Sequence, residues 1–329
     1  MLDPSDWRPA QGSIDRPLLL VVVDTEEEFD WDKPHSRSET ATSAMASQVR
    51  AHRIFEKYGI RPTYVIDYPV ASQETGYAPL KELYDSGLCQ IGAHLHPWVN
   101  PPFDEEVCNL NSYPGNLPRA LEKEKLQRLT DEIEKRFGDR PTVYKAGRYG
   151  VGPNTAEILA ELGYEIDVSV VPQTDLRAEE GPDFRPCGAR PYWFGDAGLL
   201  EIPLSVGFSG VFAGLGRTGW GALDTPVGRT LKLTGISSRL RLLDRLVLTP
   251  EGITHGEHKR LTRTMLASGH RVFSFTYHSP SLEPGFTPYV RNDDDLAGFL
   301  ERFDRFFDFF MNEIGGRPTT PHEVLSLLS

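Results

Sequence analysis

Short apolar, β-branched runs alternate with helical patterns along most of this chain, and that rhythm constrains the fold more than any other feature. Leu18–Val23 reads as a buried strand, and Thr40–Tyr58 follows with helical periodicity. Pro62–Asp67 reads as a second strand and Tyr77–Ser86 as a short helix. Cys89–Leu95 is a third strand, and Arg119–Phe137 an amphipathic helix with Glu/Lys pairs on its wet face. Thr142–Ala146, Ile166–Val171, Leu199–Val206 and Arg271–Tyr277 read as four further strands, with Asn154–Leu162 and Asp294–Met311 as helices. Alternation of this kind predicts an α/β fold with a parallel sheet. About seven such units predict a closed or nearly closed barrel, with an open, doubly wound sheet as the alternative. The 329 residues are expected to form a single domain. Two regions break the rhythm. Gln173–Arg190, rich in Pro, Gly and charge, reads as a long loop, and 207–258 as a glycine-rich loop with a helical insertion.

The reactive side chains cluster at the ends of these predicted strands. Asp24 and Glu26 follow the first, His94 and His96 close the third, Lys145 and Arg148 the fourth, and His278 the last. Asp167 and Glu201 lie on the fifth and sixth. Parallel barrels assemble their active sites at that face, where the loops converge. His94-Leu95-His96 is the sharpest local signal, because alternate residues of a strand point to one side and two imidazoles there can chelate one metal. Asp24-Thr25-Glu26 has the same spacing, so one carboxylate can bind the metal while the other serves as a base. His278, delivered by the hydrophobic strand before it, suits a general acid for an amine leaving group.

Other features read more plainly. Trp31, Trp98, Tyr149 and Trp193 suit either stacking on sugar rings or core packing. His255-Gly256-Glu257-His258 lacks the HExxH spacing and reads as a solvated helix cap. Phe303, Phe306, Phe307, Phe309 and Phe310 read as one buried helix face. The formal net charge of −12 disfavours nucleic acid as a partner. One basic stretch, Arg229, Lys232, Arg239, Arg241 and Arg245, lies among leucines. It reads as an amphipathic helix on the barrel or as a patch for a membrane surface or anionic glycan. Three scattered cysteines without CxxC spacing argue against a thiolate zinc site or a disulfide framework. The N-terminus has no basic start, and its apolar run is short for a signal peptide, so a cytoplasmic location is expected.

Taken together, VVVDTEEEFDW (Val21–Trp31), IGAHLHPWVNPP (Ile91–Pro102), YKAGRYGVGP (Tyr144–Pro153), LLEIPLS (Leu199–Ser205) and FTYHSPSLEPG (Phe275–Gly285) make the chain resemble the polysaccharide deacetylases. These are the NodB-type carbohydrate esterases, and the likeness is to a subgroup met near exopolysaccharide genes. The resemblance implies a distorted (β/α)7 barrel and a divalent metal, usually zinc. It implies hydrolysis of N-acetyl groups on a sugar or polysaccharide, releasing acetate and a free amine. It makes Asp24 the base, Glu26, His94 and His96 the metal ligands, and His278 the acid. Lys145 stands where the family's base-orienting arginine aligns, with Arg148 nearby. Tyr149, Trp98 and Trp31 fall on the substrate side, and the backbone N–H of Tyr149 is a candidate oxyanion donor. The family's first motif has adjacent aspartates; here Glu26 is displaced by one residue, Glu27 and Glu28 are rivals, and Asp24 itself could be the ligand. Two further readings are a metal-dependent cyclic-amide hydrolase and a catalytically silent carbohydrate-binding barrel.

Overall fold

The computed structural model describes residues 7–10 and 12–329, leaving out the side chains of Arg217, Pro226 and Arg229. The first six residues of the N-terminal segment, and Arg229 of the basic stretch as a side chain, therefore lie outside the described residues. The strands in chain order are β1 (Arg8–Pro9), β2 (Leu18–Thr25), β3 (Thr63–Ile66), β4 (Gln90–Leu95), β5 (Val143–Ala146) and β6 (Ile166–Asp167). They continue with β7 (Tyr192–Phe194), β8 (Leu199–Glu201), β9 (Val206–Ser209), β10 (Asp244–Val247), β11 (Val272–His278) and β12 (Arg317–Pro318). The main sheet runs β1-β7-β8-β6-β5-β4-β3-β2-β11. Every pairing from β8 through β6, β5, β4, β3 and β2 to β11 is parallel, which makes a curled sheet of seven parallel strands. These are the seven strands expected from the sequence. β7 and β1 extend one edge antiparallel.

The gap between β8 and β11 is bridged without a regular ladder. Leu248 N–H donates to the Ser205 carbonyl at 2.9 Å, Thr276 N–H to the Leu248 carbonyl at 3.2 Å, and Ser274 N–H to Ser205 Oγ at 2.9 Å. The sheet thus curls into a distorted barrel.

Strand parity decides which side chains reach its axis. Leu18, Leu20 and Val22 of β2 join Val65, Val143, Ile166, Leu200 and Val272 in one cluster, the barrel interior. Leu19, Val21 and Val23 join Tyr64, Leu95, Tyr144, Phe275 and the helices in a second cluster, the outer layer. Phe275 stacks on Phe306 at 5.3 Å, and Tyr277 meets Phe303 at 4.9 Å. The phenylalanine-rich helix, Asp293–Asp308, continues in a wide turn over Phe309–Glu313, and all six of its phenylalanines, Phe299 with the five read from the sequence, are buried. Arg119–Phe137 forms as expected and stops at Gly138, whose φ of 90° suits only a residue without Cβ.

The insertion is helical, as read from the sequence, and also holds an antiparallel strand pair that was not expected. Residues 207–258 contain an antiparallel hairpin, β9 with β10, that carries three short helices, Gly216–Leu223, Pro226–Thr230 and Leu233–Arg239. Arg245 of the basic stretch turns inward, donating to the Pro172 carbonyl at 3.0 Å. At the next helix, His255–Ala267, Thr254 and Glu257 form a reciprocal cap. His258 is buried rather than solvated, with Nε2 2.7 Å from the Thr249 carbonyl. Among the described residues no helix is long and apolar enough to cross a membrane.

Candidate metal and catalytic site

Parity places Asp24, His94, Lys145 and His278 on the axis side of the barrel mouth, because Val23, Leu95, Tyr144 and Tyr277 beside them belong to the outer layer, and Glu26 and His96 each follow two residues on. Asp167 and Glu201 have the opposite parity: Ile166, Val168, Leu200 and Ile202 fill the interior, so these two acids face outward. They pair across β6 and β8 and stay buried, and neither lines the mouth. Burial raises both, Asp167 to about 6.

At the centre, Glu26 Oε2 lies 3.5 Å from His96 Nε2 and 3.7 Å from His94 Nε2. The other ring nitrogens are engaged. His94 Nδ1 is 3.0 Å from the Lys145 carbonyl, and His96 Nδ1 is 2.8 Å from Glu27 Oε2. Each Nδ1 therefore carries the proton, which leaves both Nε2 lone pairs directed at a carboxylate. Glu26 is 3% exposed, and its Oε1 has no hydrogen-bond partner. Acceptors facing acceptors in a buried site call for a cation between them. A tetrahedral zinc with bonds of about 2.0–2.2 Å sets its ligand atoms roughly 3.3–3.6 Å apart, close to the spacing found. The donor set and its geometry fit a divalent metal.

A neighbouring group, Glu27, Asp67 and His96, also clusters, but its oxygens already accept N–H bonds. Glu27 takes His96 Nδ1–H and Trp98 Nε1–H, each at 2.8 Å, and Asp67 takes the backbone N–H groups of Glu27 and Val70. Glu27 is thus the carboxylate that orients His96. Gly147 is part of the same packing, since a Cβ there would lie 2.6 Å from the His96 ring.

Burial pushes Glu26 up to about 7, against the pull of His278 and His94. Burial, opposed by nearby acids, holds His96 down at about 4. A metal must displace the Glu26 proton, which is present below about pH 7, while His96 is already neutral there. Zinc affinity is expected to fall about tenfold per pH unit below 7, with up to one proton released on binding, and to level off above it. Calorimetry in buffers of different ionisation enthalpy checks this.

Asp24 stands beside this group. Its Oδ1 pairs with Lys145 Nζ at 2.5 Å, and its Oδ2 lies 3.7 Å from His278 Nε2. Burial raises Asp24, but Lys145, His94 and His278 outweigh it, and its carboxyl is held below the usual range. His278 Nδ1 is 2.8 Å from Glu251 Oε2, and Glu251 also accepts from the His278 backbone N–H and Ser281 Oγ–H. Burial alone would lower His278; Glu251, Glu26 and Asp24 reverse that and push it up to about 10. Glu251 was not anticipated. It follows β10 by four residues, inside the region read as a loop and helical insertion.

Asp24, Glu26, His94, His96 and His278 line a cavity of about 620 Å³, with Lys145 and Glu251 behind them. Trp31 stands edge-on to His278 at 4.9 Å and to Tyr289 at 5.8 Å. Trp98 stacks between His96 and His35 at 4.3 and 4.1 Å. Tyr149 covers Lys145, with its ring centroid 5.4 Å from Nζ. Arg148 and Tyr149 have φ of 53° and 60°, which turns the backbone into the cavity wall. Arg148 does not reach Asp24. Its guanidinium binds Asn109 Oδ1 at 2.7 Å, Ser112 Oγ at 2.6 Å and Glu179 Oε2 at 3.1 Å, tying two loops together. Trp193, on β7, is not among the lining residues. Glu28 turns to the Ser43 hydroxyl and the Ala44 N–H.

The sequence matches no family model and no curated protein. Solved structures similar to this one include a protein from Mycobacterium smegmatis described as a polysaccharide deacetylase. It aligns with a TM-score of 0.56 at 15% identity over 97% of this chain and 94% of that one. The α-amylase AmyC from Thermotoga maritima aligns with a TM-score of 0.53 at 12% identity, over 95% of this chain and 75% of that one. The peptidoglycan deacetylase PdaC from Bacillus subtilis aligns with a TM-score of 0.44 at 11% identity, over 95% and 92%. The first two share the barrel, and a barrel common to a protein described as a deacetylase and to an amylase does not by itself select the chemistry.

Proposed function

We propose that this chain is a metal-dependent hydrolase that removes acetyl groups from the amino nitrogen of a sugar. The observation that carries the reading is the convergence of two imidazole lone pairs on a buried carboxylate, with an ionised acid and a protonated histidine beside it. Glu26, His94 and His96 would hold the ion, for which zinc suits the nitrogen-rich set. When bound, the metal supplies Lewis acidity toward water and an amide carbonyl.

The remaining work falls to side chains. Asp24, kept anionic by Lys145, accepts the proton of the attacking water. The water oxygen forms the new bond to the acetyl carbon, and the carbon–nitrogen bond breaks. His278, kept protonated by Glu251, donates to the departing nitrogen so that it leaves as an amine. The turned backbone at Tyr149 is the candidate donor to the developing oxyanion. Trp31 and Tyr289 offer faces on which a sugar ring can stack.

A glycosidase would use two carboxyls flanking the bond, one protonated. Asp24 and Glu26 differ in that sense, but that reading gives the paired imidazoles no task. The test is to load the purified protein with zinc and assay N-acetylated monosaccharides and oligosaccharides for acetate, free amine and new reducing ends. Equal acetate and amine, lost with chelator and restored by zinc, is expected. New reducing ends without acetate would overturn the reading.

A further inference from the structure

The three-helix lobe on the β9–β10 hairpin is the most apolar part of the exposed surface. Twelve large apolar side chains are exposed among the described residues, and seven of them lie between residues 211 and 240. Val211 is 76% exposed, Val227 68% and Leu240 62%, with Phe212 and Leu231 beside them in the same lobe. Isolated exposed apolar residues are ordinary, and their concentration on one lobe sets it apart from the rest of the surface.

The lobe is one connected unit. Val211 N–H donates to the Arg241 carbonyl at 3.0 Å, and Phe212 N–H to the Leu242 carbonyl at 2.8 Å, which brings its two ends together. Ser237 Oγ bonds both backbone groups of Leu243, pinning the last short helix to the returning strand. Its charge runs against the rest of the molecule. Residues 210–242 contain five Arg/Lys and one Asp in a chain of net charge −12. Lys232, Arg239 and Arg241 are exposed.

We infer that this lobe docks the protein on an anionic lipid bilayer. Aliphatic tips interspersed with cations suit the boundary between acyl chains and acidic headgroups, where the apolar groups insert and the charges stay with phosphate. The core of a protein interface, by contrast, is depleted of charge. The acidic remainder of the molecule would be repelled by the same bilayer, so the lobe is the face that is drawn to it. No residue of the lobe lines the catalytic cavity, so this inference stands apart from the proposed reaction.

The experiment is flotation of the full-length protein with phosphatidylcholine vesicles, with and without phosphatidylglycerol, at low and high salt. The protein is expected to float with the phosphatidylglycerol vesicles and to be released by salt. K232Q/R239Q/R241Q is expected to weaken partitioning on the order of a hundredfold. V211S/F212S/L240S is expected to weaken it at least about tenfold. Both variants should keep the parent's thermal midpoint and its zinc stoichiometry. Failure of the parent to float, or flotation unchanged in both variants, would overturn the inference. So would a concentration-dependent dimer that the same substitutions dissociate while vesicles capture nothing.

Discussion

Asp24→Asn is expected to retain one bound zinc and to lose about 10²–10⁴ of kcat, the range removed with a general base. An amide cannot accept the water's proton at neutral pH, whereas Glu26, His94 and His96 keep their donors. The substitution also removes the charge opposite Lys145, which is fully buried. Breaking a buried pair costs about 3–5 kcal/mol when one partner is deleted. Asn still offers an oxygen to Nζ, so a smaller loss of stability is expected, and turnover should be measured well below the variant's own thermal midpoint. Zinc content separates the two roles open at the first motif. Loss of metal in Asp24→Asn, with metal kept in Glu26→Gln, would make Asp24 the ligand and Glu26 the base.

The second large effect concerns His278, the proposed proton donor. His278→Gln is expected to lose about 10²–10⁴ of kcat on an N-acetyl sugar. It should lose far less on an acetyl ester of an acidic phenol, whose leaving group needs no proton. Glu251→Gln is the graded companion. His278 is raised to about 10, with Glu251 the foremost of the groups that raise it. Its charged form is therefore present at neutral pH and is lost as pH rises through the folded value. Removing the Glu251 charge lowers that value, so the alkaline limb of kcat/KM should move toward neutral pH while the rate near pH 6 changes little. A variant whose rate falls equally at every pH would assign Glu251 a merely structural part.

The barrel was legible because each of its strands is a short apolar run, and an apolar run is what burial on both faces demands. The site was legible in part for the same reason, since the spacing of His94 and His96 puts both rings on one side of β4. Parity could have gone further. Tyr144 and Ala146 belong to the outer layer, which sends Lys145 inward, while Arg148 lies beyond the strand on a left-handed turn. Ile166 and Leu200 fill the interior, which sends Asp167 and Glu201 outward although both sit at strand ends.

What the sequence concealed depends on contacts between distant segments. Glu251 meets His278 across 27 residues, and its approach is set by β10, whose Asp-Arg-Leu-Val has no apolar run to announce it. Glu27 was visible only as a rival ligand. Its oxygens are spoken for by His96 and Trp98, a fact that rests on how the loop after β2 crosses the end of β4.

The central claim is that two imidazoles and the Glu26 carboxylate hold one cation. Crystals of the parent protein grown with zinc, with diffraction recorded on both sides of the zinc absorption edge, test it most directly. The expected result is a single anomalous peak at about 2.0–2.2 Å from His94 Nε2, His96 Nε2 and a Glu26 oxygen, with Asp24 still on Lys145. A peak among Glu27, Asp67 and His96, or none between the two histidines, would contradict it.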